Sequence, residues 1–273
     1  MYYLMQEKIK NALKKRILSY KNRKQLNIKL SDLIAYDSIL FFKKDKRREI
    51  GRKIFTSFGR SLALSDYELK FTEKSDVNEV FCDKIYQIYK EFIPKKEQVV
   101  ADIGAQYGDY AILCSKVYKA KVYTFEPLPD NFKEIEENIK LNDLTEKEVK
   151  AFNVALSDEN KEKYITFDGD MANSIGKGKK IRIKFRTLDS YKIKPDIIKI
   201  DVEGFEVNVL RGAIKTIKKY KPKIIIETHS RELEEQVKEM LTSLGYKLKH
   251  EGRAVYNVNE KFDKVTNLFF SVD

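Results

Sequence analysis

The chain has 273 residues, 35% charged and 42% apolar, enough to bury one large core or two small ones. Two cysteines, Cys82 and Cys114, exclude a disulfide scaffold or a cysteine-based zinc site, and no apolar run is long enough for a transmembrane helix. The net charge of +12 is lopsided: residues 1–60 hold 17 Lys or Arg against 5 Asp or Glu, and the rest of the chain holds 37 of each. Such asymmetry points to two parts with different jobs. The N-terminus lacks the apolar core of a signal peptide, so the expected setting is cytoplasmic, with peripheral membrane attachment through the basic segment as a variant.

Residues 1–24 read as an amphipathic helix, with Met5, Ile9, Leu13, Ile17 and Tyr20 on one face and Lys8, Lys10, Lys14, Lys15 and Arg16 elsewhere. Residues 30–64 also read as mostly helical, and 77–93 form a further helical pattern ended by Pro94. Beyond Pro94, short apolar runs alternate with helical stretches. Strands are expected at 99–103, 121–126, 149–156, 196–201, 223–229, 246–252 and 267–273. Helices are expected at 109–117, 130–141, 204–218 and 231–244, and 164–167 with 181–188 as a hairpin or insertion. Alternation of this kind implies parallel crossovers, hence a doubly wound α/β sheet with helices on both faces. The expected organisation is a basic helical extension, 1–76, and a catalytic domain, 77–273.

The stretch VVADIGAQYGDYAI is the first to carry chemistry. A buried strand ends in Asp102, and Gly104, Ala105 and Gly108 form a small-residue turn into a helix, where backbone can approach a ligand. Glu126 closes the next strand, the place from which an acid binds ribose hydroxyls. The second glycine of the dinucleotide motif is missing, as is the G-K-[S/T] of a P-loop. The remaining pattern suits S-adenosylmethionine better than NAD; the alternative is that the glycines merely make a tight strand–helix turn.

DIIKIDVEGFEVNVLRGA is the second signal. Central parallel strands are apolar on both faces, so Lys199 needs a partner or an opening, most simply Asp201 or Glu203. Asp201 shares its strand face at the ligand-binding carboxyl end of the sheet. Glu203 and Glu206 follow, where they would also favour a helix N-terminus. Glu227 and His229 take the equivalent place on the next strand, and His229 or Glu227 is the expected proton acceptor, with Asp201 positioning the substrate. His250 reads as a surface residue. No metal is expected, although the acidic cluster could bind a divalent cation.

Together with VYTFEPLPDNF, NVALSDEN, RTLDSY and IIIETH, these motifs resemble the FkbM-type methyltransferases, class I enzymes dependent on S-adenosylmethionine, over about residues 77–273. The resemblance implies a Rossmann-like seven-stranded sheet whose last strand is antiparallel. It implies O-methylation of a hydroxyl on a sugar, a glycan or glycolipid, or a small natural product. On that pattern Asp102, Gly104, Gly108 and Glu126 carry the cofactor, and Asn131 and Ala155 lie near its ribose and adenine. Gln106 departs from the Asn or His usual there. Residues 1–60 are expected to recruit the enzyme to an anionic surface, a lipid or polyanionic glycan carrier first and RNA second. The competing function is an RNA methyltransferase using that basic arm; the lack of a [N/D]-P-P-[Y/F] motif and of a Pro-Cys nucleophile weighs against it.

Overall fold

The computed structural model describes residues 61–64, 67–72, 75, 80, 86–167, 179–254 and 265–273. The chain divides into two compact units, Met1–Lys84 and Ile85–Asp273. In the first, β1 (Ser61–Leu64) and β2 (Tyr67–Lys70) pair as an antiparallel hairpin. The helix expected over 30–64 therefore gives way to a strand in its last turn; its remainder and the helix at 1–24 lie outside the described residues.

The second unit is built on a seven-stranded sheet. Its members, in chain order, are β3 (Val99–Ile103), β4 (Lys121–Phe125), β5 (Val149–Phe152), β9 (Ile197–Ile200), β10 (Lys223–Thr228), β11 (Lys247–Ala254) and β12 (Val265–Ser271). Their spatial order is β11-β12-β10-β9-β3-β4-β5. The five strands from β5 to β10 run parallel, and β12 lies antiparallel between β10 and β11, as the resemblance implied. The crossovers carry α1 (Asp109–Lys116), α2 (Pro129–Leu141), α3 (Glu206–Gly212), α4 (Ile214–Tyr220) and α5 (Arg231–Ser243). The central strands β3, β9 and β10 are buried almost throughout, which is why they read as continuous apolar runs. Among the described residues no helix is long and apolar enough to cross a membrane, and Cys114 is a buried free thiol.

Three departures from the expected elements have local causes. The expected strand 149–156 breaks after Phe152, because the Asn153 amide turns to donate to the Glu126 and Pro127 carbonyls, at 3.0 and 3.1 Å. β6 (Ala155–Leu156) then leaves the main sheet and pairs with β8 (Lys179–Arg186), which pairs in turn with β7 (Lys161–Phe167). The expected helix 204–218 is two helices. At its junction Gly212 sits so close to the Ser157 carbonyl oxygen that a Cβ would lie 1.9 Å from it. The amides of Lys215 and Thr216, in the first turn of α4, donate to the Asp189 carboxylate at 3.0 and 2.8 Å, a borrowed cap that gives α4 its own start. Finally, residues 86–92 are turns followed by a one-turn 3-10 helix, Lys90–Phe92, rather than the end of a long helix. Tyr86, Tyr89 and Phe92 recur every three residues and anchor separately. Tyr86 lies edge-on to Tyr110, Tyr89 stacks on His250 with ring centroids 3.6 Å apart, and Phe92 meets Phe269 edge-on.

Candidate functional site

The loop after β3 is tied to the end of β4. The amides of Gly104 and Ala105 donate to the Phe125 carbonyl at 3.0 and 3.2 Å. The Gln106 amide donates to Glu126 Oε2 at 3.0 Å. The other carboxylate oxygen accepts from the Leu128 amide at 3.0 Å and from Asn131 Nδ2 at 3.3 Å. Burial pushes the Glu126 carboxyl up to about 7, against the opposing pull of these donors. Gly108 adopts a left-handed φ of 82° at the start of α1, and the room left by its missing Cβ is taken by the Ile135 side chain. Gly104 is required for a reason internal to the protein. A Cβ there would lie 1.7 Å from the Asp201 carbonyl oxygen, so the end of the neighbouring strand occupies that side of the loop.

Lys199 is buried, and its partner is across the sheet as well as along the strand. Strand register sets Lys199 beside Asp102. Its ammonium lies 3.5 Å from Asp102 Oδ1 and 3.5 Å from Asp201 Oδ2, and donates to the Gly104 carbonyl at 2.8 Å. Glu203, the other partner expected, faces His229 instead. Asp102 is fully buried, Thr124 also donates to it, and its carboxylate braces Lys199. The Tyr86 ring lies 5.1 Å from the ammonium, and its hydroxyl donates to Asp201 Oδ2 at 2.9 Å.

His229 directly follows β10 and precedes Ser230, which caps α5 by accepting from the Leu233 amide. Its Nδ1 lies 2.8 Å from Glu206 Oε1. Its Nε2 faces three more carboxylates: Glu203 at 3.4 Å, Asp201 at 3.7 Å and Glu227 at 3.7 Å. Glu206 Oε1 also accepts from the Gly204 amide, which fixes the turn where Glu203 and Gly204 both have positive φ. Burial pulls the imidazole down, but the Glu206 hydrogen bond and the charges of Glu203, Asp201 and Glu206 outweigh it and raise His229 to about 9. At that value the ring holds its proton at neutral pH, which favours Glu227 over His229 as the proton acceptor expected of the pair. One donor atom each from Asp201, Glu227 and His229 lie within 4.8 Å of one another; a cation held there would have to displace that proton.

Lys199, Asp201, Glu203, Glu227 and His229 thus converge at the carboxyl ends of β9 and β10, and Lys199 joins them to the Gly104 loop. Ala155 lies outside this cluster and packs with Leu128, Ile183 and Phe185. His250 is half-buried, stacked on Tyr89 and paired with Glu91. Sequence reasoning missed Tyr86 and Asn153, because each acts through a partner far away in the chain. Glu206, read there as a helix-terminus acid, orients His229.

The Methyltransferase FkbM domain model matches residues 102–251. The chain is 28% identical over 146 residues to the hexuronic acid methyltransferase AglP of Haloferax volcanii, an alignment covering 50% of this chain and 58% of that protein. It thus spans little more than half of that relative's length. Among solved structures, the methyltransferase FkbM of Methylobacillus flagellatus aligns with a TM-score of 0.48 and 21% identity, over 64% of this chain and 43% of that one. A methyltransferase from Pyrococcus furiosus aligns with a TM-score of 0.46 and 18% identity, over 85% of this chain and 99% of that one.

Proposed function

The chain belongs to the FkbM methyltransferase family, and from that premise we propose that it moves a methyl group from S-adenosylmethionine to a hydroxyl of a sugar in a glycan, a glycolipid or a small natural product. One observation carries the reading: Lys199 grips the Gly104 loop and Asp201 at once, so the nucleoside-type loop and the acidic cluster form one site. The hexuronic acid relative supports a saccharide acceptor.

The donor set suits the cofactor. Glu126 stands at the end of β4 with both oxygens held by backbone and side-chain donors, and the lone pair left on Oε2 can accept a ribose hydroxyl. When bound, S-adenosylmethionine supplies an activated methyl on a sulfonium. The protein then has to align a hydroxyl and take its proton. Glu203 and Asp201 are the more accessible acceptors, with 37% and 21% of their side chains exposed against 7% for Glu227. Tyr86 and Lys199 hold Asp201 Oδ2, while Oδ1 faces His229 Nε2 at 3.7 Å. The protonated His229 keeps Asp201, Glu203 and Glu227 together despite their like charge.

Cofactor affinity tests the first half of this reading. Glu126→Ala should weaken S-adenosylhomocysteine binding about 10–100-fold, since a charged hydrogen bond is worth roughly 1.5–3 kcal/mol. The ionised carboxylate accepts a ribose hydroxyl more strongly than the protonated one, and burial raises this carboxyl to about 7. Wild-type affinity should therefore decline as the pH is lowered from 8 to 6, and Glu126→Gln should show little such dependence. Unchanged calorimetric affinity in a folded Glu126→Ala protein would overturn the assignment. Transfer of label from S-adenosylmethionine to saccharides, located by mass spectrometry, tests the acceptor class.

A further inference from the structure

The ribbon of β7 and β8 has two faces with different chemistry. Ile181, Ile183 and Phe185 pack inward with Leu128, Ile165 and Ala155. The alternate positions of β8 are Lys180, Arg182, Lys184 and Arg186, which share the opposite face. Register places Thr166, Tyr164 and Glu162 opposite the first three. Glu162 is the sole acid in these two rows, and it already pairs with Arg182 at 2.5 Å and with Arg186 at 3.7 Å. Bases and acids balance over residues 61–273, so the row is not a reflection of composition. Four cations crowded on one strand face repel one another, and the single carboxylate of Glu162 offsets only part of that charge. Tyr164 adds an aromatic ring that is 70% exposed, directly across from Arg182.

The ribbon is anchored beside the site. Leu128, in its inner cluster, lies two residues beyond Glu126, and the Phe185 ring is 6.4 Å from that of Phe205 in the loop between Glu203 and Glu206. The two regions have opposite charge. Four carboxylates surround His229, a setting that repels an anionic group and accepts a neutral hydroxyl.

We propose that the outer face of this ribbon, Lys180, Arg182, Lys184 and Tyr164, docks an anionic saccharide chain, so that the carboxylates of the acceptor rest on the ribbon while its hydroxyl enters the acidic site. The inference rests on the saccharide reading of the acceptor. The planar guanidinium of Arg182 matches a sugar carboxylate, and the exposed face of Tyr164 suits the apolar face of a pyranose ring.

The test uses the full chain at physiological salt with three immobilised polymers: polygalacturonate, neutral dextran and poly(U). Polygalacturonate should be bound in preference to both others. The double variant Arg182→Glu/Lys184→Glu should weaken that binding at least tenfold, and Tyr164→Ala several-fold, with S-adenosylhomocysteine affinity unchanged in both. Equal binding by wild type and both variants would assign the attraction to residues elsewhere, such as the basic 1–60 segment, and overturn the proposal. So would preference for poly(U), or indifference between polygalacturonate and dextran. Loss of S-adenosylhomocysteine binding by the wild type would defeat the methyltransferase reading instead, a separate outcome.

Discussion

Replacing Lys199 with Met is expected to cost about 3–5 kcal/mol of folding stability, the usual penalty for removing one partner of a buried ion pair. Asp102 has no exposed surface, and burial already holds its carboxyl above the usual range, opposed chiefly by the Lys199 charge. Without that ammonium Asp102 would have to protonate or stay charged in an apolar sheet. The Gly104 carbonyl would lose its 2.8 Å donor at the same time. For a unit of this size the melting temperature should drop by roughly 6–20 °C. The double variant Asp102→Asn/Lys199→Met should be less damaged than the sum of the two single variants, because the second change removes the charge the first one stranded. Strict additivity, or a Lys199→Met protein melting within about 2 °C of wild type, would show that the pair does not brace the sheet.

That network marks where reading the sequence stops. Lys199 stands out in the chain as a charge in an apolar strand, and Asp201 two residues on is visible as a neighbour. Asp102 is not, because it meets Lys199 through strand register across 97 positions of sequence, and register is set by the assembled sheet. The same holds for Gly104, whose need for glycine comes from the Asp201 carbonyl, and for Asn153, whose bonds end the β5 strand. Periodicity does locate the parallel strands and α1, α2 and α5, since each buries a local pattern. It fails over 204–218, where Asp189, remote in sequence, caps a second helix. It fails for His229 as well. Histidine chemistry near neutrality is a fair expectation from the residue type, but the charge state follows from Glu206, Glu203 and Asp201, contributed by a helix start, a turn and a strand end.

The charge state of His229 has a measurable consequence for stability. Its folded value is about 9, against about 6.5 in an unfolded chain. Below about pH 6.5 the ring is protonated in both states, and the folded protein has the full advantage of binding that proton more tightly. As the pH rises from about 6.5 towards 9 the unfolded chain loses the proton first, so the advantage shrinks, and above 9 it is gone. At about 1.4 kcal/mol per unit, the shift corresponds to roughly 3 kcal/mol. In urea denaturation, wild type should exceed His229→Gln by about that amount at pH 6 and by much less at pH 9.5. Adding Glu206→Gln to the wild type should move the decline to lower pH, because the hydrogen bond at Nδ1 is the foremost contribution raising the ring. The outcome to look for is the slope of the difference curve. A difference between wild type and His229→Gln that stays constant from pH 6 to 9.5 would mean the ring titrates in the folded protein near its unfolded value of about 6.5, and His229 would then return as a proton acceptor beside Asp201.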